Sequence, residues 1–277
     1  MAVDHYENFP VASILLPPAQ RSAVVAIYRF ARTADDIADE GTASPAERLA
    51  LLDRFSQELD RIGRNEHSVH PVFAALAPVI AEHQLPLTLF HDLLDAFKQD
   101  VHQTRYASHA ELLDYCRRSA NPVGRLLLHL TGHASEANLQ RSDAICTALQ
   151  LINHWQDVAI DLDKGSQGRI YLPQDDMARF GVTDAELMRR TATTVVSNLL
   201  AFELDRAVAT MHAGASLGWD LPGRFGMEIR AIVAGGLRVA QKIAAVNYDV
   251  FGQRPTLRWF DWPAITWRTV VRPLSLA

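Results

Sequence analysis

Apolar residues recur at steps of three and four along most of this 277-residue chain, and alternating strand-like runs are nearly absent. That rhythm predicts a succession of amphipathic helices. Pro17 and Pro18 open the first, which runs to about Glu40, and the stretch from Gly41 to Pro45 ends it. Ser44, followed by Pro45 and Glu47, reads as a capping box for a second helix reaching about Ile62. Further helices are expected over 70–83, 86–103, 109–118, 122–133 and 138–163. Residues 163–168 read as a loop, and 169–173 as a short extended segment. A second capping box, Thr183 with Glu186, starts a helix that runs with a break to about Ala213. Residues 214–223 interrupt the pattern, and a long helix follows to about Val250. No repeat, linker or shift of composition divides the chain, so the expectation is one all-α domain over 1–277, with 255–277 as a candidate peripheral segment.

Two of these helices depart from the usual amphipathic logic. Steps from Val24 pass through Tyr28, Ala31, Asp35 and Asp39, so an apolar stripe turns acidic in its last two turns. Steps from Cys146 pass through Gln150, Asn153, Asp157 and Asp161, a polar line opposite Leu151, Trp155, Val158 and Leu162. In each helix two carboxylates stand four residues apart, stacked about 5.4 Å along one face. Like charges at that spacing weaken a helix unless something positive lies between them. Either helix alone could be a solvated outer face. Carboxylates on a core-facing stripe, however, are rare unless paired or bound to metal.

Composition narrows the partner. The chain is 48% hydrophobic with a net charge of −5 and both signs interspersed, which argues against nucleic acid. Two cysteines, Cys116 and Cys146, lack metal-type spacing and read as thiols in a reducing, cytoplasmic setting. The first residues lack the basic start and apolar run of a signal peptide, and no apolar run approaches the length that spans a bilayer. The natural occupant of two facing carboxylate pairs is Mg²⁺, bridging them to a diphosphate. Held by metal, such a group becomes a stabilised leaving group. The reaction class would be ionisation of a carbon–diphosphate bond beside an apolar cavity.

The chain also resembles the squalene/phytoene synthase family over about His5 to Arg254. The resemblance rests on the stretch from Ala26 to Asp39, on Arg105 and Tyr106, and on Glu111 through Tyr115 to Cys116. It continues through Val123 and Gly124, Gln150 and Asn153, Asp157 and Asp161, and Gly168 through Arg169 and Tyr171 to Pro173. The implied fold is the all-α isoprenoid (terpenoid) synthase bundle around a central cavity. Carried over by position, Asp35, Asp39, Asn153, Asp157 and Asp161 would hold two or three Mg²⁺ ions. Tyr28, Arg32, Asp36 and His5 would serve the diphosphate, and Gln150 would extend the second motif. Tyr115 would line the reaction cavity, Arg169 and Tyr171 would border the substrate, and Tyr248 would close over the leaving group. Arg105 and Arg169 could equally be structural ion-pair partners.

Departures from the family pattern carry information. The Arg that usually precedes the first Asp of the second motif is Gln156 here, the usual Ser-Phe is Asn8-Phe9, and the usual Val-Ala-Gly lies at Ser119 to Pro122. Gln cannot reproduce the bidentate grip of Arg on phosphate. These departures resemble the branch of bacterial hopanoid pathways that ionises one substrate, presqualene diphosphate, and traps the cation with water. No nicotinamide cofactor is expected, since no Gly-x-Gly-x-x-Gly loop is present and water quenches the cation. Two rivals remain: a synthase condensing two prenyl diphosphates head to head, and a non-catalytic relative acting as an assembly factor. Trp259, Phe260, Trp262 and Trp267 cluster with Arg258, Arg268 and Arg272. Such a segment can lie on the inner face of a membrane or pack on the domain. Partners from the same pathway are conceivable, and oligomeric state is not legible.

Overall fold

The computed structural model describes residues 18–165 and 167–271, and no strand occurs among them. The elements are α1 (Pro18–Asp39), α2 (Pro45–Gly63), α3 (Pro71–His83), α4 (Leu87–Asp100), α5 (His109–Ser119), α6 (Asn121–Leu130) and α7 (Glu136–Gln156). A single turn, α8 (Val158–Asp161), follows, then α9 (Gln174–Phe180), α10 (Asp184–Met188), α11 (Thr194–Gly214), α12 (Leu217–Asp220) and α13 (Gly223–Ala245). A 3-10 turn (Trp259–Asp261) leads into α14 (Trp262–Val270). The all-α expectation holds.

Local chemistry explains the helix starts. Ser44 accepts from the Glu47 amide and Glu47 accepts from the Ser44 amide at 2.8 Å, so the expected capping box at α2 is present. Thr183 and Glu186 form the second one at α10. The expected 138–163 helix is different: α7 stops at Gln156, and Asp157 leaves helical geometry at φ −105°, ψ 10°. The cause is side-chain traction from far along the chain. The Gln156 amide donates to the Pro255 carbonyl, and Arg254 grips the Asp157 carboxylate. The chain after α13 also differs from expectation, because Asn247 and Tyr248 both take left-handed φ values of 52° and 61° and turn it sharply. Residues 169–173 run extended without forming a strand, bonded through Ile170 N–H to Thr104 O at 2.9 Å.

Buried apolar side chains fall into two clusters. In the first, Phe30 of α1 meets Phe73 and Phe90 edge-on at 5.8 and 5.4 Å, tying α1 to α3 and α4. In the second, Trp155, Leu151, Leu200, Met211 and Ile243 join α7 to α11 and α13. Gly236 permits that approach, because a Cβ there would stand 2.7 Å from Leu149 Cδ2 and 2.9 Å from Met211 Cε. Its cost to helix stability is thus explained by close packing. Together these clusters hold α1 and α7 on opposite sides of one cavity.

Candidate active site

A cavity of about 590 Å³ opens between α1, α4, α5, α7 and α13. Tyr28, Arg32, Asp35 and Asp39 of α1 line one wall. Gln150, Asn153 and Asp157, with Asp161 of α8, line the other. The remainder is largely apolar, with Ile27, Phe97, Leu127, Leu149, Phe225 and Ile232 at the surface. Tyr115, Arg169 and Tyr171 border it as well. Eleven of the candidate residues therefore meet in one place.

Lysine and arginine side chains lie between the acids. Lys164 Nζ stands 3.0 Å from Asp39 and 3.6 Å from Asp161, spanning the two motifs. Arg169 donates to Asp39 at 2.9 Å and to the Asp100 carbonyl at 2.8 Å. The loop that aims both cations turns at Gly168, whose φ is +66° and where a Cβ would sit 2.7 Å from the Leu162 carbonyl. Arg105 holds the same loop through the Gly168 carbonyl at 2.7 Å and pairs with Asp184 at 2.7 Å, which is a structural role. Arg32 pairs along its own helix with Asp35 at 3.1 Å, Asp36 at 2.7 Å and Glu40 at 2.9 Å.

These contacts divide the carboxylates. Burial works against the charge of Asp39, but the Arg169 and Lys164 contacts overcome it and hold its pKa below the ordinary value. Burial and then the neighbouring Asp39 charge push Asp35 up to about 6. Burial pushes Asp161 up to about 7, with Lys164 only partly opposing. A third acid, Asp100 of α4, accepts from the Tyr115 hydroxyl at 2.8 Å and is raised by burial to about 7. The His154 ring stacks on Tyr171 at 3.5 Å between centroids, and burial keeps it neutral, its pKa well below the usual histidine value. Arg169 stays protonated against its burial because Tyr171, Asp100 and Asp39 surround it.

The other residues singled out from the sequence stand elsewhere. Tyr248 does not border this cavity; after its left-handed turn it lines a separate cavity between α11 and α13, with Val208, Leu237 and Ala244. Asp36 lies off the cavity and serves Arg32. His5 lies outside the described residues. Gln156 is 1% exposed, donates to Pro255 and does not border the cavity. The guanidinium nearest Asp157 is that of Arg254 instead. Lys164, Asp100, His154, Glu228 and Arg254 were missed as site residues. Asp100 carried a readable signal, since Leu89, Leu93, Ala96 and Asp100 form an apolar stripe ending in an acid, as on α1.

Among the described residues, no three Asp, Glu, His or Cys side chains converge tightly enough to hold a metal ion by themselves. The donor chemistry nonetheless suits a hard divalent cation, because Mg²⁺ takes one or two carboxylates and completes its shell with phosphate oxygens and water.

The squalene/phytoene synthase family model matches residues 2–261. A hydroxysqualene synthase of Zymomonas mobilis is 44% identical over 186 residues, covering 66% of this chain and 60% of that protein, less than two thirds of its length. One of Rhodopseudomonas palustris is 35% identical over 86% of this chain and 79% of its own. The crystal structure of a squalene synthase from Alicyclobacillus acidocaldarius, 37% identical, superposes with a TM-score of 0.80 and covers 88% of this chain and 90% of that one.

Proposed function

The chain belongs to the squalene/phytoene synthase family, and on that premise we propose that it is a hydroxysqualene synthase. It would ionise presqualene diphosphate, let the cyclopropylcarbinyl cation rearrange, and add water to give hydroxysqualene and diphosphate. One observation carries the reading: two carboxylate walls face each other across a cavity whose remaining surface is largely apolar. The likeness to hydroxysqualene synthases supports the choice of substrate.

Asp35, Asp39, Asn153, Asp157 and Asp161 are the residues that would hold Mg²⁺, two or three ions with substrate present. Bound there, the metal would neutralise the diphosphate and stabilise it as a leaving group. The chain's own residues do the rest. Arg32, Lys164 and Arg169 pair with the wall carboxylates and add fixed positive charge to the leaving group's surroundings. Tyr115 and Tyr171 present aromatic surface to the cavity, which attracts a carbocation electrostatically. His154 and Gln150, 3.3 Å apart, border the same space as neutral polar groups and put no competing charge beside the cation. When water adds to the rearranged carbon, its proton leaves to the diphosphate or to solvent. No hydride donor enters this balance.

One observation favours a second reading, head-to-head condensation of two prenyl diphosphates. Arg254 brings a guanidinium to Asp157, so the loss of Arg at position 156 does not leave that carboxylate without one. Purified protein with Mg²⁺, given farnesyl diphosphate or presqualene diphosphate separately, distinguishes the readings. Hydroxysqualene from presqualene diphosphate, and nothing from farnesyl diphosphate, is the expected result. Presqualene diphosphate, squalene or phytoene formed from prenyl diphosphates alone favours condensation, and no turnover of either favours a non-catalytic relative.

A further inference from the structure

The far side of α13 carries a surface that the proposed chemistry does not use. Trp259, Phe260, Trp262, Trp267, Val270 and Val271 are all solvent-exposed, Trp259 at 83% and Trp267 at 68%. No other aromatic side chain among the described residues belongs to the exposed large hydrophobics. Exposed apolar residues scattered singly need no explanation, but six within 13 residues form a patch.

The segment is firmly mounted. Asp261 is fully buried beneath it and bonded by Arg238 at 2.7 Å and Lys242 at 2.6 Å, both from α13. These partners overcome its burial and pull its pKa to about 2. Ile265 and Thr269 turn inward one and two turns later, which leaves Trp262, Thr266, Trp267 and Val270 outward. Lys242 also sits 5.0 Å from the Phe260 ring centroid. Aromatic rings are therefore held out into solvent by a buried ionic latch rather than left there by fraying.

Charge says what they face. Between residues 223 and 271 the chain has seven Lys or Arg and three Asp or Glu, although its net charge is −5 overall. Within 254–271 the one acid is Asp261, which is buried, whereas Arg258 and Arg268 are exposed beside the rings. A second copy pairing through this face would bring Arg against Arg with no exposed carboxylate to answer it, which disfavours self-association. Tryptophan with arginine is the pairing that bilayer interfaces accept, the ring at headgroup depth and the cation on lipid phosphate.

We propose that the 3-10 turn and α14 form a docking face for an anionic phospholipid bilayer. Lipid binding needs neither substrate nor Mg²⁺, so it stands or falls apart from the reading of the active site.

Cosedimentation of the full chain with vesicles tests it. Expected are binding to phosphatidylcholine–phosphatidylglycerol vesicles, much weaker binding to phosphatidylcholine alone, and loss of binding at high salt. Trp259→Ala with Trp267→Ala should lower the partition coefficient by about 10-fold or more, with unchanged circular dichroism and turnover. Arg258→Glu with Arg268→Glu, an independent surface pair, should lower it by a similar factor on anionic vesicles only. Wild-type protein remaining in the supernatant with anionic vesicles overturns the proposal, as does wild-type binding by both double variants. A dimer that light scattering finds in the wild type and not in the tryptophan variant would assign the face to a second copy and likewise overturn it.

Discussion

On α1, Asp39 is clasped by Lys164 and Arg169, while Asp35 one turn earlier is pushed up to about 6. Across the cavity, Asp157 is clasped by Arg254, while Asp161 one turn later is pushed up to about 7. Each wall thus pairs one carboxylate in a cationic grip with one whose charge is penalised by burial. The means differ. The first wall is an unbroken helix whose clamps arrive on the loop after α8. The second is broken at Asp157, and its clamp comes from residue 254, beyond α13. Each wall is thus given a cation from elsewhere in the chain.

The largest expected effect comes from removing either wall. Asp35→Asn or Asp157→Asn should each cut turnover of presqualene diphosphate by at least about 10²-fold while helical circular dichroism is kept. Near-normal activity in either variant would end the metal-ligand assignment. Next comes the clamp on the first wall. Arg169 is 7% exposed, and Arg169→Ala leaves Asp39 with Lys164 alone and takes the donor from the Asp100 carbonyl, so chemical denaturation should report a loss of roughly 3 kcal/mol. A loss under about 1 kcal/mol would mean the pair contributes no more than a surface ion pair.

Proton competition is the third effect. Asp35 and Asp161 have folded pKa values above the ordinary carboxylate value, so their protonation favours the fold. That contribution is fully present below about pH 4 and is lost as pH rises through about 6 to 7. Metal binding runs the other way, because the ion needs the deprotonated form. The apparent Mg²⁺ affinity should fall roughly tenfold from pH 8 to pH 6, and Asp161→Asn should flatten that dependence. A pH-independent affinity would rule it out. Smallest is the clamp on the second wall. Arg254 and Asp157 are about a quarter exposed, so Arg254→Ala should cost no more than about 1 kcal/mol in a denaturant melt. A loss matching that of Arg169→Ala would erase the distinction between the walls.

Much of this was legible in one dimension. The α1 wall lies along one helical stripe, so periodicity alone aligns Tyr28, Ala31, Asp35 and Asp39, and the structure puts all four on the cavity. Asp100 obeyed the same rule on α4 and could have been read from it. The break at Asp157 was not readable, because its cause lies about 100 residues away in Arg254 and Pro255. The position of Tyr248 was not readable, because a pair of left-handed residues after α13 redirects the chain and nothing in the helical pattern announces that turn. The sequence shows Gln156 where the family has Arg, but not that its side chain is buried against residue 255.

The central claim is that both walls grip one diphosphate together. Calorimetric titration of inorganic diphosphate in saturating Mg²⁺, with wild type, Asp35→Asn, Asp157→Asn and the double variant, tests it most directly. Walls acting as one unit should make each single substitution lose nearly all binding, with the double variant losing little more. Two modest losses that simply add in the double variant, or normal binding by either single variant, would contradict it.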